Sequence, residues 1–327
     1  MSASRRIEWI DIARGIAIIL MVAGHTEIPE GPLKFIYAFH MPLFFFVSGI
    51  FYNKGNLSFK DFLIKKVKTL VIPYFFFTLL ALCLMPWKMP FLHVLVYGWD
   101  GENFYTLWFI PVLFVSELIF FLFSGHKRVF ILSLAIICSI ATYYLSKSHI
   151  DLPYNFNIVP FALFYISLGY AAAPFIILMK IPGWRTFLYG LILFVFSSLL
   201  PRLDMYNNEP GVFPMNLLNS LLGILFTFAI SQRLNRFTNT SIIKAIRFFG
   251  INSLFVMAFS PLFQTYCYSV THGIGKLTRI PIPNDSLPSI IFRVILPLIL
   301  VYFTTIFCRR FLPFTIGVYG NKKGATS

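Results

Sequence analysis

The run "IEWIDIARGIAIILMVAGHTEIPEG", Ile7 to Gly31, decides how the chain is read. Its apolar part approaches the roughly 20 residues that a helix needs to cross a bilayer. Yet it carries Asp11, Arg14 and His25, and an Asp or Arg at the centre of a lipid-embedded helix costs roughly 2.5 to 3.5 kcal/mol on insertion scales. At about 100° per residue the three side chains fall within about 60° of one another, on one stripe of the helix. At a rise of about 1.5 Å per residue, His25 lies about 16 Å beyond Arg14. One face of this helix thus carries polar groups most of the way across a membrane.

The rest of the chain has the same character. Of 327 residues, 58% are hydrophobic and 12% charged, and 40 are Phe, a composition of repeated apolar runs that belongs to membrane proteins. Reading those runs predicts an all-α integral membrane protein of ten helices, at about 9–28, 33–52, 69–87, 106–124, 129–145, 157–179, 186–201, 215–231, 251–268 and 289–310. The first run lacks a small-residue cleavage site and is read as a retained helix. No internal repeat is visible. Residues 1–327 read as one transmembrane domain, with no room for a fused extracytoplasmic domain.

With a cytoplasmic N-terminus, 19 of the 27 Lys and Arg fall in inside segments, six fall outside, and Arg14 and Arg293 fall within helices. Every inside loop then holds at least two basic residues, which sets the orientation. Both termini are expected in the cytoplasm, with the chain spanning the inner (cytoplasmic) membrane. The net charge of +15 is therefore a topology signal facing the lipid bilayer, and nucleic acid is not expected as a partner. Cys83, Cys138, Cys267 and Cys308 lie inside apolar runs at no metal-ligand spacing, so neither a disulfide framework nor a metal site is expected.

The stripe on the first helix has two readings. Asp11 and Arg14 can pair near one interface, leaving His25 hydrogen-bonded at the other. Alternatively the stripe lines a polar channel whose far end holds a general base, a role that suits a side chain with an ordinary pKa of about 6.5. Here the sequence resembles the membrane acyltransferase-3 family of polysaccharide O-acyltransferases. "DIARGIAIILMVAGH" matches the family's pattern of a basic residue, ten residues and His, with Arg14 and His25 in place. "FHMPLFFFVSGIFY" (Phe39 to Tyr52) is similar to its second helix, "KKVKTLVIPYF" places Lys65 and Lys68 on its basic pair, and "LWFIPVLF" (Leu107 to Phe114) follows in order. Together the motifs span about the first third of the chain. The short chain with HMPLFFF and LWF most resembles the fucose 4-O-acetylase subgroup.

The resemblance implies acetyl-CoA as cytoplasmic donor and a hydroxyl on a glycan or lipid-linked sugar as acceptor. It implies a catalytic set of His25 as base, Arg14 in the donor channel and Asp11 orienting it. It also puts Lys65, Lys66 and Lys68 on the donor side, where phosphates need cationic partners. Other candidates come from the residues themselves. His40 reads as a structural histidine, with a role beside His25 as the alternative, and Pro42 should free backbone carbonyls near it. Glu117 and Arg293 are intramembrane ions that require a partner or a polar cavity, and both are substrate-contact candidates. Trp108 and Trp9 read as interfacial belt residues, and Trp108 is also a substrate-contact candidate. The outer stretch Val96 to Tyr105 combines aromatics with Asp100 and Glu102, as either a carbohydrate-contacting or an ordinary loop does. The competing function is a transporter or flippase in which Asp11, Arg14, His25 and Glu117 relay protons.

Overall fold

A computed structural model of the protein describes residues 7–84, 91–98, 105–148, 150–278 and 283–316. Among these, secondary structure is helical apart from one isolated antiparallel bridge, Asp204 to Glu209. The chain runs through α1 (Glu8–Gly24), α2 (Glu30–Tyr37), α3 (His40–Ile50), α4 (Phe59–Lys66), α5 (Ile72–Leu84), α6 (Phe91–Tyr97), α7 (Phe109–Phe123) and α8 (Arg128–Ser148). It continues through α9 (Val159–Leu178), α10 (Gly183–Leu199), α11 (Met215–Leu234), α12 (Ser241–Ile251), α13 (Ser253–Thr278) and α14 (Leu287–Phe311). Of the Val96 to Tyr105 stretch, residues 99–104 lie outside the described residues, as do Arg5, Arg6, Lys322 and Lys323.

Each of the ten predicted runs coincides with a helix, but the count of spans is lower. Seven helices among the described residues are long and apolar enough to cross a membrane, or eight if the bent pair α12 and α13 is one span. For α10 the difference is one of length, and for α1 one of length together with the charges Glu8, Asp11 and Arg14. With 17 residues each, α1 and α10 reach only about 26 Å against a hydrocarbon layer of about 30 Å. The ninth predicted helix is preceded by a 94° bend between α12 and α13. The second is broken at Ala38 and Phe39 into α2 and α3, yet Glu30–Ile50 still counts among the seven. Pro42 falls in the first turn of α3, where amides have no intrahelical partner, so it releases no carbonyl there.

Helix α1 is interior. Its Ile10, Ala13, Ala17, Ile18 and Val22 are fully enclosed by α3, α11, α12 and α13. By contrast α8 exposes Val129, Ile136, Ile137 and Tyr144, and α14 exposes Ile291, Ile295, Phe303 and Phe307. Such continuous apolar faces on long helices suit lipid rather than water.

Two crossings bring main chain against main chain. A side chain at Gly15 would overlap the Ile246 carbonyl and one at Gly250 the Asp11 carbonyl, locking α1 to α12. Likewise Gly49 meets the Ile166 carbonyl and Gly169 the Phe46 carbonyl, locking α3 to α9. Small residues permit this close approach, which membrane helices use in place of a hydrophobic driving force.

Candidate active site

The polar stripe of α1 ends where the helix ends. His25 is the residue after its last turn, half-buried, and its position is fixed by hydrogen bonds that close that turn. Thr26 donates through its hydroxyl to the Ala23 carbonyl (2.7 Å). Gln264 Nε2 donates to the Val22 carbonyl (2.7 Å) and also to the Arg293 carbonyl (3.4 Å). The second acceptor exists because Pro297, four residues beyond Arg293 in α14, has no N–H to give it. One buried amide on α13 thus ties the end of α1 to the weak point of α14.

His25 faces a cavity of about 190 Å³ walled by Met21, Tyr37, His40, Trp108, Thr106 and the segment Leu203 to Asn207, with Met41 and Met257 completing it. His25 Nδ1 lies 3.5 Å from the Tyr37 hydroxyl. The Tyr37 ring meets the His40 ring edge-on at 4.9 Å and has the Arg202 guanidinium 4.9 Å above it. His40 is buried and pairs through Nδ1 with the Ile36 carbonyl (2.9 Å). His40 thus has a structural partner and stands in the same cavity wall as His25.

Trp108 is no belt residue. It is buried, packed near Phe45 and Tyr206, because the short turn Tyr105–Trp108 leading into α7 points it inward. Two residues before it, Thr106 donates to the Met257 carbonyl (2.6 Å), which Pro261 leaves without its helical partner. Trp9, the other expected belt residue, lies half-buried with its ring edge against Phe228.

The other candidates lie apart from this cavity. Asp11 is buried and Arg14 half-buried; neither lines the cavity, although Met21 and His25 of the same helix do. Arg14 Nη2 donates to Ser253 Oγ (2.8 Å), the first residue of α13, at the bend after α12. Asn252 Oδ1 in the same bend is buried without a hydrogen-bond partner. Glu117 lies nine residues along α7 from Trp108, about 13 Å farther from the cavity. There it pairs with Lys66, and Lys54 donates to the Ser124 carbonyl at the end of α7 (2.7 Å).

Lys65 and Lys68 are exposed beside that pair, on α4 and on the π-helical turn Val67–Val71. Arg293 is buried and held by Ser289 Oγ (2.8 Å), the Asn284 carbonyl (2.6 Å) and Glu27 (3.8 Å). It braces α14 and the residues after His25 rather than the cavity.

Residues that sequence reading passed over complete the wall. Asp204, in the loop between α10 and α11, organises that loop. Its Oδ1 accepts from the Tyr206 and Asn207 amides (3.1 and 3.3 Å), and its Oδ2 from Asn207 Nδ2 (3.1 Å) and Arg202 (3.2 Å). The pattern D-x-x-N in a short loop is the available sequence signal, since Asp side chains commonly bond backbone amides two and three residues on. Tyr37 and Gln264 carried no local signal.

Helices long and apolar enough to cross a membrane thus surround a small cavity faced by a histidine at the end of an enclosed helix. Residues 7–309 match the family profile described as an acyltransferase domain, the acyltransferase-3 type, and the chain belongs to that family. It is a multi-pass membrane acyltransferase. No curated protein and no solved structure matches the chain.

Proposed function

We propose that the protein moves an acetyl group from acetyl-CoA to a sugar hydroxyl of a cell-surface or lipid-linked polysaccharide, acting across the inner membrane with both termini in the cytoplasm. The subgroup we propose is the fucose 4-O-acetylase type. The observation that carries this reading is His25 at the end of an otherwise buried helix, in the wall of a cavity with Tyr37 against its Nδ1.

In this reading His25 takes the proton from the acceptor hydroxyl as its oxygen attacks the thioester carbonyl. The tetrahedral intermediate collapses with cleavage of the C–S bond, and the imidazolium returns the proton to the departing thiolate. Tyr37 orients the ring. Arg14 sits where the amino end of α13 adds partial positive charge, and this arrangement suits a donor rich in anionic groups. Asp11, one turn before Arg14, keeps that end of the stripe in register. Lys65 and Lys68 serve the donor phosphates from the opposite end of the bundle, about 13 Å or more from the cavity along α7.

The test is transfer of radiolabelled acetyl from acetyl-CoA to glycans extracted from a strain lacking the gene, catalysed by the purified protein in lipid nanodiscs. Label in the glycan, lost by at least about 100-fold in His25→Ala while the variant stays folded and monodisperse, is the expected result. Full transfer by His25→Ala, or no donor consumption by the wild-type protein, would overturn the reading.

A further inference from the structure

Beyond the His25 cavity lies a second and larger one, of about 570 Å³, formed where the segment between α8 and α9 meets the loop between α10 and α11. The two cavities share Tyr206 and Asn207 as lining residues, so one wall faces both. The larger cleft is lined by four amides, Asn155, Asn157, Asn207 and Asn208, and by the rings of Tyr97 and Tyr206. It also has two exposed carboxylates, Asp151 and Glu209, and no Lys or Arg among the described residues lining it.

Three observations set this cleft apart from an ordinary loop surface. Asn208 is 4% exposed, and its Oδ1 is buried with no hydrogen-bond partner, an unsatisfied acceptor in a residue of the cleft wall. The non-glycine residues with left-handed backbone among the described residues are Tyr154, Asn155 and Asn208 (φ 58°, 58° and 53°), and two of them line the cleft. Its floor is cross-linked: Asp204 and Glu209 exchange backbone hydrogen bonds (2.9 and 2.8 Å), and Asn155 Nδ2 donates to the Tyr206 carbonyl (3.5 Å).

Amides, carboxylates and flat rings are the groups that meet a saccharide: carboxylates accept from hydroxyls and rings cover the apolar face of a pyranose. Two carboxylates in a cleft that no described Lys or Arg lines disfavour a further anion. We propose that this cleft seats the acceptor chain next to the sugar served by His25, as a neutral or amine-bearing saccharide, and turns away uronate-bearing chains. The inference rests on the acyl transfer proposed above and adds to it the charge class of the acceptor.

The test pairs neutral tetrasaccharides of 1,4-linked galactan, mannan and glucan, whose C6 hydroxyls are free, with the same chains oxidised at C6 to uronates. Binding to the protein in nanodiscs is read by saturation-transfer NMR without any donor. At least one neutral probe should bind and its oxidised form should bind about tenfold more weakly or not at all. Asp151→Asn with Glu209→Gln should weaken the neutral probe about tenfold and narrow the gap between the two forms. Asn208→Gly tests the amide separately, because glycine accepts the left-handed backbone at no cost. Loss of binding in that variant marks the amide as a ligand contact, whereas unchanged binding marks it as a turn residue.

The proposal is overturned if no neutral probe binds, if the oxidised forms bind equally or better, or if both variants bind like wild type. Acetyl transfer to a glycan with an acceptor KM untouched by these variants would refute the cleft and leave the transferase. Probe binding without any transfer from acetyl-CoA would do the reverse.

Discussion

Lys66 stands at a point where fold and donor compete for one charge, and replacing it with Met separates them. Its side chain is 19% exposed and that of Glu117 only 7%. Removing the lysine leaves a carboxylate inside the helix bundle with its cation gone. Breaking such a pair costs about 3 to 5 kcal/mol when both partners are fully enclosed, and the partial exposure of Lys66 puts the expectation at the lower end, about 3 kcal/mol. At about 1.4 kcal/mol per factor of ten, the unfolding equilibrium of Lys66→Met shifts by about 150-fold.

The double variant Lys66→Met with Glu117→Gln removes the stranded charge, and its stability should return to within about 1 kcal/mol of the wild type. Unfolding titrated with sodium dodecyl sulfate in mixed micelles, followed by the fluorescence of the five tryptophans, measures both. Kinetics then complete the cycle: the double variant should keep the wild-type KM for acetyl-CoA. A double variant as unstable as the single one would refute the ion-pair account. A restored fold with a raised donor KM would return Lys66 to the donor, the side on which the resemblance puts its loop.

Three further outcomes follow from the geometry. Tyr37→Phe, which removes the hydroxyl facing His25 Nδ1, should lower kcat about fivefold with little change in acceptor KM; an unchanged kcat would leave the ring without an orienting partner. Lys65→Ala with Lys68→Ala should raise the KM for acetyl-CoA about fivefold at low salt, with the difference shrinking at high salt because both side chains are exposed. A salt-independent or absent effect would remove them from the donor path. Gly169→Ala, with the Phe46 carbonyl in the way, should cost about 3 kcal/mol by overpacking. Gly273→Ala, with no atom within 4 Å of the new methyl, should not destabilise, and equal losses in both would refute the crossing as the cause.

Much of the architecture was legible because membrane helices advertise themselves one at a time. Apolar length located every predicted helix, and the spacing of Arg14 and His25 singled out α1 before any neighbour was known. What length could not show is how helices fail to be ideal spans. The 94° bend at Asn252 and the break at Ala38 interrupt no apolar run, so hydropathy passes through them. The cavity was legible only in part. His25, His40 and Trp108 stood on separate candidate elements, and nothing in their local sequence brings them to one wall. Lys66 and Glu117 were both noticed, each for a different purpose, and their pairing across α4 and α7 is a tertiary fact. Asp204, Tyr37 and Gln264 were missed because a short polar loop, a tyrosine and a mid-helix glutamine have ordinary local explanations.

The glycine crossings have a consequence for how the two cavity histidines keep their relative position. Each crossing works as a keyway: shifting α1 against α12, or α3 against α9, by one residue would drive a side chain into a carbonyl where only hydrogen now fits. His25 is therefore indexed to α12 through α1, and His40 to α9 through α3, and the direct packing of α1 on α3 joins the two alignments.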